Sequence, residues 1–155
     1  MEIEFKKREG RKNIITYKRE GKDDYWIEAD NFLILHDLSH YAIESTLQYT
    51  SAFWGLIKAG VNPTIFENKE ERDKILISEE AWYTECLANL FLIELTQGEF
   101  ENFNAVFKDS FVQMYPSIPF IEMSSTTVNQ IRTHYNKLVN DWKLLKEGGS
   151  LLLTF

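Results

Sequence analysis

Cysteine is almost absent from this chain, since Cys86 is the single cysteine among 155 residues. An intrachain disulfide and a cysteine-rich metal site are therefore excluded. Because Cys86 lies beside Glu85 and close to Leu87 and Leu90, we expect it to be a buried small hydrophobe with a raised pKa. This sparing use of cysteine is typical of reducing compartments, and a cytoplasmic location is predicted.

Long apolar runs are also missing. The longest candidates, NFLILHDL and ANLFLIEL, contain charged residues and fall short of the roughly 20 apolar residues that span a bilayer. The first ten residues, MEIEFKKREG, have neither an apolar core nor a cleavage pattern. We therefore expect no signal peptide, no transmembrane helix and no membrane partner.

Positive charge is scarce: the chain has 17 Lys and Arg residues and 24 Asp and Glu residues, which gives a net charge of −7. Nucleic-acid-binding proteins normally carry a basic face, so no nucleic-acid partner is expected. The only basic cluster surrounds a Glu9-Gly10 turn and is interpreted as a solvated hairpin tip. It consists of Lys6, Lys7, Arg8, Arg11 and Lys12.

The fold predicted from the sequence is a single α+β domain spanning residues 1–155, because 44% hydrophobic residues supply a core and no linker interrupts the chain. Residues 1–29 alternate apolar and polar positions around two Lys-Arg-Glu-Gly turns, which predicts a three-stranded antiparallel meander. Residues 30–147 show helical periodicity. Residues 150–155, SLLLTF, are predicted to return as a strand to the meander, because a lone edge strand favours aggregation.

About four helices are predicted to pack against this sheet. The expected limits are Asp30 or Asn31 to Gln48, Ser78 to Gly98, a segment ending at Pro116, and Ser124 or Ser125 to Gly148. Two stretches lie between the first and second helices. SAFWGLIKAGVNP is expected to be a short helix or a buried loop, and FENKEERDK a charged, solvated connection.

Side chains that could bind a metal or take part in catalysis are concentrated in the segment FLILHDLSHYAIEST. This segment contains two of the three histidines. On a helix, His36, His40 and Glu44 occupy one face because they are four residues apart. Leu33 and Leu47 share that arc, so this face is expected to point into the core. Burying two imidazoles and a carboxylate is costly unless they pair or bind a cation.

A divalent metal, zinc in the first place, is one hypothesis for this face. His36 and His40 have the i, i+4 spacing of helical zinc ligands. The third ligand is predicted to be Glu44, from the next turn, or Glu85, from the second helix. His134 is a further candidate ligand.

The alternative hypothesis requires no metal. His40 and Glu44 form a buried hydrogen-bonded pair, and His36 donates to Glu85. In that case the chain is a non-catalytic binding or structural domain, and its aromatic residues simply fill the core.

The segment HDLSH resembles the zincin metalloprotease signature His-Glu-x-x-His, with His36 and His40 at the ligand positions. In that signature the glutamate is the general base, and here Asp37 stands in its place. The resemblance implies a metal-dependent hydrolase that acts on a small-molecule or peptide substrate through a metal-activated water, with Asp37 as the catalytic residue.

A second resemblance covers most of the chain. Small uncharacterised bacterial proteins combine a His-Asp-Leu-x-His…Glu helix with a following Phe-Trp-Gly segment, here residues 53–55, and a strand after Gly148-Gly149. This resemblance implies a shared fold unit and no activity. His36-Asp37 is also a His-Asp doublet like that of HD-type phosphohydrolases, but their site needs a further histidine upstream, and none precedes His36.

Overall fold

The computed structural model describes residues 1–155, with the exception of the side chain of residue 67. The described chain forms four strands and six α-helices, so the predicted α+β class is confirmed. The strands are β1 (Glu2–Lys6), β2 (Asn13–Lys18), β3 (Tyr25–Ala29) and β4 (Ser150–Thr154). The helices are α1 (Asn31–Leu47), α2 (Phe53–Ala59), α3 (Lys69–Ile75), α4 (Glu79–Gln97), α5 (Phe103–Met114) and α6 (Ser125–Leu144), with a 3₁₀ helix at Pro63–Glu67.

The strands form one antiparallel sheet in the order β3-β2-β1-β4. Gly10 and Gly21 occupy the two predicted turns with φ values of 59° and 70°, which a glycine adopts without a steric cost. The last strand pairs with β1, with Ile3 opposite Leu153 and Phe5 opposite Leu151. The prediction that the C-terminal segment returns to the meander is therefore confirmed.

One face of the sheet packs against the helices. Alternate residues Ile3, Phe5 and Ile15 are fully buried, as the period of two along a strand requires. The indole of Trp54, also fully buried, meets the Phe5 ring edge-on with centroids 6.2 Å apart. Trp54 belongs to α2, so this contact fixes α2 against the sheet beside α1.

Three of the four long helices begin as the sequence predicts. The side chains of Asp30, Ser78 and Ser124 each accept a hydrogen bond from a backbone N–H in the first turn of α1, α4 and α6. Such caps stabilise a helix by about 1 kcal/mol each. In the described part of the chain, no helix has both the length and the apolar character needed to cross a membrane.

The charged stretch FENKEERDK is not a plain connection, so that expectation was wrong. Asn68 accepts hydrogen bonds from the N–H groups of Glu70 and Glu71 and starts α3. Acidic residues in its first turn and basic ones in its last complement the helix dipole. The stretch is solvated as expected, because no residue of α3 is buried. SAFWGLIKAGVNP contains the short helix α2.

Candidate metal centre

Helices α1 and α4 pack side by side, and this packing brings Glu85 to the two histidines of α1. The ring centroids of His36 and His40 are 4.6 Å apart, as expected for neighbouring turns. One ligand atom from each of His36, His40 and Glu85 lies within 4.8 Å of the others. Among the described side chains, this is the group whose geometry suits a metal ion. We call it the His-His-Glu cluster.

The separation of His40 and Glu85 fits two ligands of one ion. Nε2 of His40 lies 3.5 Å from a carboxylate oxygen of Glu85, longer than the roughly 2.7–2.9 Å of a charge-assisted hydrogen bond. Two ligands bonded to one zinc ion at about 2.1 Å with tetrahedral angles lie about 3.4 Å apart. Within the described structure, neither ring nitrogen of the buried His40 has a hydrogen-bond partner. A cation between the two side chains would satisfy this otherwise costly arrangement.

Glu44 lies on the other side of His40. One of its oxygens is 3.5 Å from Nδ1 of His40, and the other accepts hydrogen bonds from the N–H groups of Trp54 (2.9 Å) and Gly55 (3.2 Å). These N–H groups belong to the first turn of α2, so the fully buried Glu44 carboxylate also supports that helix end. Glu44 therefore lies beside Nδ1 of His40, whereas Glu85 faces its Nε2.

Asp37 repeats this relation at the other histidine. Its Oδ1 lies 3.5 Å from Nδ1 of His36, and its backbone carbonyl accepts a hydrogen bond from Nε1 of Trp54 at 3.2 Å. Each histidine thus has a carboxylate at Nδ1. Such carboxylate–histidine contacts orient imidazole ligands and increase their basicity.

The carboxylates favour a positive charge at His40. Burial opposes the charged imidazole, but Glu44 and Glu85 outweigh burial and raise the pKa of His40 to about 10. The contact with His40 in turn lowers the pKa of Glu85 to about 2. Burial raises the pKa of Glu44 despite its contact with His40. A cation is therefore stabilised here, whether a proton or a metal ion supplies the charge.

A pocket of about 290 Å³ opens onto the cluster. His36, His40 and Glu85 all line it, together with Asp37. The remaining lining is mostly apolar and includes Tyr17, Ile27, Leu33, Phe53, Pro63, Phe66 and Leu76. An ion held by the cluster would lie beside this pocket, and an open coordination position there is what distinguishes catalytic from closed structural zinc sites.

The remaining candidates are placed as follows. His134 lies away from the cluster, half-buried, with Nδ1 3.3 Å from Oγ1 of Thr46. Asn89 donates to the backbone carbonyl of Glu85 at 2.9 Å and so supports the turn that carries this carboxylate. In the described structure no hydrogen bond joins His36 to Glu85, so the metal-free network is not favoured.

Sequence reasoning missed two contributors to the site. The N–H groups of Trp54 and Gly55 hold Glu44, and the Phe-Trp-Gly segment was singled out only for its resemblance. Arg72, which lines the pocket, lies in a stretch interpreted as a connection. The Asn68 cap followed by two glutamates was the available signal for a helix there.

Cys86 leads to a first prediction. It is 1% exposed, and burial together with the nearby Glu85 charge raises its pKa to about 12. At pH 8 about one thiol in ten thousand is then ionised, against about one in four in an unfolded chain. We expect iodoacetamide to label native Cys86 at least about 100-fold more slowly than the urea-unfolded protein, as measured by mass spectrometry. Equal rates with an unchanged circular dichroism spectrum would contradict this prediction.

Searches with this chain against protein-family models, curated proteins and solved structures found no match. Function is therefore inferred from the geometry of the His-His-Glu cluster and its pocket.

Proposed function

We propose that the protein binds one divalent metal ion, zinc in the first place, through His36, His40 and Glu85. The observation that carries the proposal is that three ligand atoms lie within 4.8 Å of one another on residues that line a pocket. Two histidines and one carboxylate from two helices are a donor set typical of catalytic zinc. Glu44 and Asp37 support the set from the Nδ1 side of each imidazole.

We further propose that the ion serves the hydrolysis of an ester, an amide or a similar acyl bond in a small-molecule or peptide substrate. A zinc ion in such a site polarises a carbonyl and lowers the pKa of water to about 7. In the reaction, water adds its oxygen to the acyl carbon, the bond to the leaving oxygen or nitrogen breaks, and the leaving group takes up a proton. Asp37 lines the pocket and is the proposed proton carrier. The likeness of HDLSH to the zincin signature supports this assignment.

The test is metal content, measured by elemental analysis on protein purified without an affinity tag. We expect the wild type to hold close to one zinc ion per chain after incubation with zinc and removal of excess. The double variant His36→Ala, His40→Ala should hold none, because two of three ligands are lost. His134→Ala is the matched control: it also removes a histidine, but one away from the cluster, and should keep the full content.

Cobalt(II) gives a second readout, because its visible spectrum reports coordination by nitrogen and oxygen ligands. We expect the wild type and His134→Ala to show the visible spectrum of protein-bound, low-coordinate cobalt. The double variant should not show this spectrum. Wild-type protein that remains metal-free after incubation with zinc and with cobalt overturns the proposal. Equal zinc content in the wild type and the double variant overturns it as well.

A further inference from the structure

Arg72 gives the pocket a second polar position. Among the lining residues that the structure describes, it is the only arginine or lysine. The helix that carries it, α3, has no buried residue, so packing in the core does not require an arginine there. Its ion pair is with the adjacent Asp73 at 3.6 Å, and 41% of its side chain is exposed. Its charge also helps to lower the pKa of Glu85, and a guanidinium has five N–H donors, so donors remain for a ligand.

Most of the other residues that line the pocket are apolar. The rings of Phe53 and Phe66 pack against each other with centroids 4.7 Å apart, and both line the pocket with Leu33 and Leu76. A volume of about 290 Å³ is at the lower end of small-molecule sites, which typically measure about 300–1,000 Å³. The pocket thus suits a small ligand with an apolar body.

The chemistry of the metal position and of the Arg72 guanidinium limits the ligand further. A divalent ion at the cluster takes an oxygen donor, and a guanidinium fork pairs best with a planar carboxylate. Asp37 lines the same pocket and directs its Oδ1 toward His36. The carboxylate that the Arg72 charge reaches is Glu85, whose pKa it helps to lower. A divalent ion and a guanidinium in one pocket are both stabilised by the anionic oxygens of a ligand.

We infer that the pocket binds small acyl compounds with an apolar body and a carboxylate, in which Arg72 holds the carboxylate and the metal holds the acyl oxygen. This inference rests on the proposed metal site and names the substrate class for it. Arg72 is then a specificity-determining residue. It is not a ligand of the ion.

Benzylsuccinate is a suitable probe, because it carries a ring and two carboxylates. Succinate lacks the ring, and 4-phenylbutyrate lacks the second carboxylate. Calorimetric titration of the zinc-loaded protein should show benzylsuccinate binding at least about tenfold more tightly than either. Arg72→Gln should weaken benzylsuccinate about 10- to 100-fold and change 4-phenylbutyrate less than about threefold, since one charged contact is lost.

Matched variants exclude a general charge effect. Lys74→Gln removes a positive charge from the same helix, outside the described pocket lining, and should leave all three affinities unchanged. Arg72→Lys keeps the charge without the fork and should give an intermediate affinity. Zinc content is measured for each protein, and it should stay near one in all of them.

The outcomes separate the two proposals. If the wild type holds no zinc, the proposed function fails, and this inference fails with it. If zinc is present but Arg72→Gln binds benzylsuccinate as tightly as the wild type, only the substrate class is overturned. The same holds if Lys74→Gln weakens binding as much as Arg72→Gln, or if 4-phenylbutyrate binds as tightly as benzylsuccinate.

Discussion

Glu44→Gln is expected to lower zinc affinity about 10- to 100-fold while α2 stays in place. The amide oxygen can still accept hydrogen bonds from the N–H groups of Trp54 and Gly55. The amide NH₂ then faces Nδ1 of His40, where the carboxylate oxygen lies in the native protein. Because an NH₂ donates to Nδ1, the imidazole proton moves to Nε2, the nitrogen that faces Glu85 and the metal position.

Glu44→Ala separates the effect of Glu44 on His40 from its support of the first turn of α2. It leaves the buried N–H groups of Trp54 and Gly55 without their acceptor, which should lower the free energy of unfolding by roughly 2–4 kcal/mol. Glu44→Gln should lower it less, because those two hydrogen bonds remain. Zinc affinity is measured by competition with a chelator, and stability by urea unfolding of the metal-free protein.

Glu80 provides the matched control for Glu44. Its carboxylate accepts hydrogen bonds from the N–H groups of Thr50 (2.8 Å) and Ser51 (2.6 Å), close to the same helix end. It lies outside the His-His-Glu cluster. Glu80→Gln should therefore leave zinc affinity unchanged. Wild-type affinity in Glu44→Gln, or an equal loss in Glu80→Gln, contradicts the role assigned to Glu44.

Gly55→Ala is expected to lower the free energy of unfolding by at least about 3 kcal/mol. A Cβ at this position would overlap the backbone carbonyl group of Thr50 and lie 2.7 Å from its Cα. Backbone atoms cannot rotate away as a side chain does, so α2 or the preceding loop must shift. The higher helix propensity of alanine, worth about 1 kcal/mol, acts in the opposite direction and does not compensate.

Gly10→Ala is the control for Gly55→Ala. A Cβ on Gly10 meets no atom within 4 Å, but its φ of +59° is strained for alanine, at a cost of about 1–2 kcal/mol. Urea unfolding of the metal-free protein should therefore show a clearly larger loss for Gly55→Ala. Only Gly55→Ala should also reduce zinc affinity, because it displaces an N–H group that holds Glu44. A loss below about 1 kcal/mol at Gly55 would contradict the steric argument.

Gly55 and Glu44 couple the packing of α2 to the proposed metal site. Gly55 permits the close approach of α2 to the preceding loop, and that approach places two N–H groups on Glu44. Glu44 then faces Nδ1 of His40. Core packing of α2 and orientation of the proposed ligand therefore depend on the same few atoms.

Local patterns in the sequence were enough for most of the elements, although not for α3, and for half of the site. Alternation and glycine turns predicted the meander, and capping side chains such as Ser78 and Ser124 predicted where long helices begin. The spacing of His36, His40 and Glu44 predicted a shared face, because neighbours on one helix follow from its pitch alone.

The sequence by itself therefore determined the α+β class and a histidine pair with an adjacent carboxylate, of which His40 and Glu44 are buried and His36 is half-buried. Tertiary structure decided which carboxylate completes the cluster. Glu85 faces His40 because α1 and α4 pack together at a particular rotation, and that rotation depends on every side chain between them. Glu44 is turned to Nδ1 because α2 offers it two N–H groups. Contacts across elements depend on packing of the whole core, which no local spacing encodes.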